Sequence, residues 1–443
     1  MKRPLSRVLY GPSLLFVIGG AGCAPAAASS PQSAPDIDAA EVRRVITTLA
    51  SDEMRGRGAF SEDALRAADF LASEFSQVGL QSPEGADGYL QRFSTRTMTA
   101  RVASVVIDGR PLTQDRIAVR MGAESLRWST GDVPVVVVRP EDQPMAVASS
   151  VLNGAFDALI ILSDYHGEAF RQLVQIFRRP IRSLADAAVP SVVLAMVEAD
   201  EGAAYEIRAT ATVQEEPLAN VIGTLPGRRS DEYVLFSAHY DHLGIQRPDI
   251  TGDSIANGAN DDGSGTTAVV ALARYFAQRG TPERTLLFAA FTAEEAGGYG
   301  SRYFSRQLDP GQIVAMFNIE MIGKPSASGP NTAWITGFDR SDFGEILQRA
   351  VEGTDYEFYA DPYSSFDLFY RSDNATLARL GVPAHSISTT PIDVDRDYHQ
   401  VTDEVETLDL EHMTNTIRAI AAGAATIVSG AATPTRIDPQ TVD

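Results

Sequence analysis

Three apolar runs, at 233–238, 285–291 and 313–319, each stop against side chains able to bind a proton or a metal: His239, the pair Glu294 and Glu295, and Glu320. A run that is apolar at nearly every position fits a strand covered on both faces rather than one with a wet side. Between the first two lies an amphipathic stretch, about 266–278, that reads as a helix. Strands alternating with helices define an α/β chain, and in open α/β sheets ligands gather beyond the carboxyl ends of the strands. The expected fold is therefore α/β, a three-layer arrangement with helices on both faces of the sheet.

Five short segments carry the chemistry. In the first, His239 leaves a strand and Asp241 follows two residues on, placed to hold one imidazole nitrogen while the other meets a metal. The same triplet also suits a loop histidine beside a surface carboxylate. His242 is expected to point away from His239. The second segment, 257–266, sets Asp261 and Asp262 in a glycine-rich turn ahead of a helix, where they serve equally well as helix-capping acids. In the third, Glu294 and Glu295 end an apolar strand. Neighbouring carboxylates there repel and lose solvent unless a cation or a proton-transfer role compensates; a solvated pair opening a helix is the other reading. Glu320 ends the next strand, and His399 sits in 397–403. Taken together they offer nitrogen and oxygen donors without thiolate, a set that suits Zn²⁺, with Co²⁺ or Mn²⁺ as substitutes.

Composition narrows the partners. The 443 residues carry a net charge of −21, which excludes the basic footprint needed for nucleic acid or anionic membrane surfaces. Residues 1–22 read as an export signal, with Lys2, Arg3 and Arg7 before the apolar stretch 14–18. Cys23, the only cysteine, follows at once and resembles the acylated cysteine of a bacterial lipoprotein, although Gly20 stands where that motif usually has leucine. Residues 23–36 then form a flexible tether. The chain is expected to be exported, either held in the periplasm or cell envelope through Cys23 or released, with no other run long enough to span a bilayer. From about 98 to 216 short β-branched strands predominate, which reads as a β-rich inserted subdomain. Residues 431–443 are a tail.

The ordered set of five segments resembles the co-catalytic zinc aminopeptidases of family M28, and the likeness runs from about residue 40 to 420, including 49–58. It implies a catalytic peptidase domain made of 37–97 and 217–430 on a zinc-peptidase-like mixed sheet. The insert 98–216 resembles a protease-associated domain. Two zinc ions per chain are implied, with Asp261 bridging, His239 and Glu320 completing one site, and Glu295 and His399 the other. Glu294 would be the general base and Asp241 the partner of His239. The Asp261–Asp262 peptide bond would be cis. Glu320 stands where the family more often has aspartate. The implied activity is removal of N-terminal residues from a peptide substrate. The same fold also serves carboxypeptidases, for which Arg371 is the candidate anchor, and glutaminyl cyclases, and a non-catalytic binding module is a further reading. The aromatic run from Tyr356 to Tyr370 reads as packing, Asp373 as a supporting carboxylate, and His166, His385 and His412 as ordinary residues.

Overall fold

Phe236, Phe288 and Phe317 occupy matching positions on three neighbouring parallel strands. Their rings stack across the sheet, with centroids 5.5 and 4.9 Å apart, and Phe276 of the helix Gly265–Ala277 closes over them at 5.4 Å. This ladder fits runs that are apolar at nearly every position: both faces of each strand are covered. Removing one ring from such a place costs about 3–5 kcal/mol.

The computed structural model describes residues 36–83, 85, 86 and 88–442, together with Gly11. The expected export signal, Cys23 and the tether up to residue 35 lie outside the described residues. Among those described, no helix is long and apolar enough to cross a membrane. Four parallel strands form the middle of a mixed sheet, in the order Ala384–Ser388, Ile313–Ile319, Arg229–His239 and Arg284–Phe291. Antiparallel strands flank them: Thr332–Ile335 on one side, and the long strands Tyr205–Leu225 and Leu90–Ile107 on the other. One face is covered by helices Ala39–Leu49, Glu62–Val78, Gly265–Ala277, Phe343–Ala350 and Leu410–Val428. The other receives the shorter helices Tyr299–Phe304 and Asn374–Ala378 and the end of the chain. The expected three layers are present.

Because the four central strands run parallel, their carboxyl ends meet at one edge. The chain places the strand after Arg229–His239 on one side of it and the next strand on the other, which opens a crevice at that edge. The insert is attached by two continuous strands, Leu90–Ile107 and Tyr205–Leu225, which stay paired from the main sheet outward except for an irregularity between Ala100 and Ala103. It holds its own four-stranded sheet, 117–120, 192–196, 158–162 and 135–138. It is less purely β than expected: helices Pro144–Asn153 and Gly167–Phe177 pack on one face of that sheet.

Candidate metal centre

The strand edge gathers His239, Asp241, Asp261, Glu294, Glu295, Glu320 and His399 into one cluster. His239 is the last residue of its strand, and its Nδ1 lies 3.1 Å from the main-chain oxygen of Asp241. A carbonyl can only accept, so Nδ1 carries the proton and Nε2 keeps its lone pair. That Nε2 is buried with no hydrogen-bond partner and faces Asp261 Oδ1 at 3.3 Å. The carboxylate of Asp241 was expected to orient His239, but its Oδ1 is 3.9 Å from Nδ1 and accepts instead from the main-chain N–H of Glu294 at 3.1 Å. The main chain of Asp241 thus orients the imidazole, while its side chain fixes the loop bearing the glutamates.

Asp261 faces both ways. Its Oδ1 looks to His239 and its Oδ2 to His399 Nε2, 3.2 Å off; the same Nε2 is 3.2 Å from Glu295 Oε2. Ligands bound at about 2.0–2.1 Å around a tetrahedral ion stand roughly 3.3 Å apart. The spacings of 3.2–3.3 Å match those of donors that share a tetrahedral cation. Glu320, one methylene longer than the usual aspartate, still reaches the first set: its oxygen, His239 nitrogen and Asp261 oxygen all fall within 4.8 Å of one another.

Asp262 takes the helix-capping part of the Asp pair. Its Oδ1 accepts from the N–H groups of Gly265 (2.9 Å) and Met321 (3.1 Å), and its Oδ2 from that of His239 (3.3 Å). One side chain thereby joins the start of a helix to two strand ends. The Asp261–Asp262 peptide bond is cis. Asp403, from the His399 segment, accepts from the N–H groups of Asn260 and Asp261 (2.9 and 3.0 Å) and so holds the same turn from the opposite side.

Two contributors were not foreseen. His242, expected to point away, sits with Nδ1 2.9 Å from Glu295 Oε1 and 3.9 Å from Asp261 Oδ2. His242, Asp261 and Glu295 on their own form a group of donors within 4.8 Å, so two imidazoles compete for the second set. The even 3.2 Å spacing of His399 suits a ligand, whereas the single short contact of His242 suits a hydrogen bond that turns Glu295 Oε2 toward the site. Gly258 makes room for it: with φ at +55°, a Cβ there would lie 2.4 Å from the His242 ring.

Arg57 is the other. It is wholly buried, and its guanidinium donates to the carbonyls of Leu49, Tyr240 and Asn257 at 2.6 Å each and of Gly258 at 2.9 Å. It thereby ties the first helix to the loops that carry His239 and Asp261. It lies within the field of Asp403, Asp241, Asp261 and Asp262, although burial still pulls its pKa down.

The electrostatics suit a site that holds positive charge. Burial lifts Asp241 and Glu320 each to about 7, and Glu294 well above the carboxylate range, with neighbouring carboxylates adding to the effect at each. Burial opposes charge on His239 and His399, yet Asp261 and other acids override it, raising His239 well above its ordinary value and His399 to about 10. Asp373 is buried nearby with both oxygens lacking hydrogen-bond partners, and adds to the negative field. A cluster of this charge suits divalent cations. The other features weighed in the sequence stay out of it: Tyr356, Phe358, Tyr363 and Phe369 are core residues, and His385 is buried against Ser341 and Thr336.

An α/β sheet whose strand ends present two adjoining imidazole and carboxylate sets, sharing one aspartate, defines a metallohydrolase class of site. Residues 220–424 match the profile of peptidase family M28. Over 209 residues it is 31% identical to a leucine aminopeptidase 1 of Ajellomyces dermatitidis, a match covering 44% of this chain and 52% of the relative. The chain thus spans about half the length of the curated relatives it matches. Two solved structures share the fold at 18% identity with a TM-score of 0.52. They are an aminopeptidase from Aneurinibacillus sp. strain AM-1 (92% of this chain, 96% of the other) and a zinc aminopeptidase from Bacillus subtilis (92% and 99%).

Proposed function

We propose that the protein is a zinc-dependent aminopeptidase that uses two ions, one held by His239, Asp261 and Glu320 and the other by Asp261, Glu295 and His399. The observation that carries this reading is Asp261 itself, whose two oxygens each stand 3.2–3.3 Å from the imidazole of a different set. The M28 profile and the leucine aminopeptidase relatives support it. Bound there, a pair of zinc ions would supply Lewis acidity toward the scissile carbonyl and the attacking water.

The chain's own groups do the rest. Glu294 has no role in holding either set together. Its Oε2 stops 4.0 Å from His239 Nε2, while its raised pKa suits a base that accepts the water's proton and hands it to the leaving amine. Asp241 holds the main chain of Glu294 in place, and His242 orients Glu295. Beside Glu320 a small pocket, polar on one part of its wall, presents Met321, Trp334, Leu368, Ile392 and Tyr398 to an apolar first side chain. A free α-amine is attracted to the same carboxylate-rich edge. The N-terminal sequence supports export, with Cys23 as the acylated residue; metabolic fatty-acid labelling that C23S fails to abolish would remove that part of the reading.

The test is hydrolysis of leucyl-nitroanilide and of its acetyl-blocked form, before and after chelation, with metal content measured alongside. Activity on the free amine, lost on chelation and restored by about two zinc per chain, is expected. In E294Q the turnover falls by about 10²–10⁴-fold with metal content unchanged. Cleavage of the blocked form alone, or activity indifferent to chelator, overturns the proposal.

A further inference from the structure

In a chain of net charge −21, an open groove of about 700 Å³ runs from Glu294 along the helices Tyr299–Phe304 and Asn374–Ala378, and its wall carries Arg302, Arg306, Arg371 and Arg379. Among the described residues, Glu294 is the only acid lining it. Arg302 and Arg306 stand four residues apart and so share one side of their helix and the turn after it, while Arg371 and Arg379 bracket the other helix. Arg306 reaches Asp186 of the insert at 3.4 Å, and Arg302 lies 5.8 Å from the ring centre of Tyr299. Among the described residues no carboxylate lies within ion-pair distance of Arg302 or Arg371. Four arginines and one glutamate in the wall of a groove, on a protein of net charge −21, make the groove locally basic, and Arg forks match carboxylates in shape as well as charge.

The position of the groove says what it would hold. Arg371 and Ser372 line both the groove and the small pocket beside Glu320, so the two cavities meet at the scissile position. Glu294 delivers its proton to the leaving amine, which puts the part of the substrate beyond the cleaved bond on the Glu294 side, in the groove. We infer that this groove binds a carboxylate one or two residues beyond the scissile bond, making the protein selective for short peptides with a free C-terminus or for peptides with an acidic second or third residue. The inference rests on the aminopeptidase reading. It pictures a cleft of two signs, acidic where the substrate amine docks and basic where the carboxylate lies, matched to the ends of a di- or tripeptide; extended chain advances only about 3.3–3.6 Å per residue.

The experiment uses the zinc-loaded protein on four free-amine substrates: Leu-Gly, Leu-Gly-amide, Leu-Asp-Gly-amide and Leu-Asn-Gly-amide, with acetyl-Leu-Gly as the blocked control. We expect kcat/KM to favour the carboxylate member of at least one pair by about tenfold, mainly through KM, the order expected of a few exposed guanidiniums acting together. The first pair reads a C-terminal carboxylate as the source, and the second an acidic side chain. The preference should shrink as NaCl rises to about 0.5 M, and R302Q/R306Q and R371Q should each bring the ratio toward one. Ratios near one for both pairs in the wild type, or ratios untouched by all three substitutions, overturn the groove while leaving the aminopeptidase reading intact. Cleavage of acetyl-Leu-Gly alone, or of none of the five, overturns both.

Discussion

The two halves of the metal centre are built differently. His239 and Glu320 lie at the ends of adjacent parallel strands, and the His239 side chain is 2% exposed. His399 comes from a loop with φ at +59°, its side chain 36% exposed and its ring stacked on Tyr398 at 3.9 Å. The first set is thus part of the sheet, fixed by the same packing that stabilises the fold. The second depends on a loop for one imidazole and on the His242 hydrogen bond for the aim of its carboxylate. Asp261 joins a rigid half to an adjustable one. The difference teaches that, of the two ions proposed, one should be held as a structural metal is held and the other exchange more readily.

The largest effect should come from Arg57. Replacing it with Met leaves four buried carbonyls without a donor and removes the cation behind the first set; a loss of at least about 3 kcal/mol in urea unfolding is expected. R57K should regain metal affinity in part without regaining all of the stability, and equal behaviour of R57M and wild type would break the picture of a rigid half. Next, H242Q should weaken one of the two ions by about 10–100-fold in chelator competition and spare the other; equal weakening of both would mean that the halves are not independent. A smaller contrast separates the histidines. In metal-free protein H239A should cost about 1–3 kcal/mol and H399A less than that, while each lowers the zinc content.

The pH dependence of the metal-free protein should be the gentlest signal. Asp241 and Glu320 titrate near 7 and Asp403 near 6 in the folded state, each raised chiefly by burial above an unfolded value near 4. Their stabilising protons are in place below pH 4 and are lost as pH rises to about 7. His399, raised to about 10, loses its contribution over the range from about 6.5 to 10. Both effects lower stability with rising pH, so melting temperature should fall from pH 5.5 to pH 9 and zinc should flatten that slope. A melting temperature that rises over this range would contradict the charge balance described for the site.

How much of this was legible in the sequence follows the same division. Ligands at strand ends were readable because a solid apolar run followed by a charged residue leaves few structural alternatives, and the boundaries of 313–319 and the helices around 49–58 followed from the same periodicity. The part of His242 was not, because alternation along a strand predicts its direction only while the strand lasts, and the chain leaves the sheet at His239. Arg57 gave no sign of burial, since four carbonyls from three separate segments have to meet before a guanidinium is satisfied there. The role of the Asp241 carboxylate was misjudged by one bond, with the main-chain oxygen two residues from His239 reaching the ring first. In the insert, the helix Gly167–Phe177 was there to be seen: Phe170, Leu173, Val174 and Phe177 fall at helical spacing, but the β-branched runs on either side dominated the reading.

The two strands that lead into the insert have a mechanical consequence. Large swings need a few residues whose dihedrals can turn freely, usually in loops, and a paired ribbon of 18 and 21 residues offers none apart from the break at 100–103. Leu184 of the insert also packs with Ala293 and Tyr299, next to the two glutamates. The insert is therefore built as a buttress rather than a door: bending at its far end would reach the glutamate loop only as small movements along a stiff ribbon.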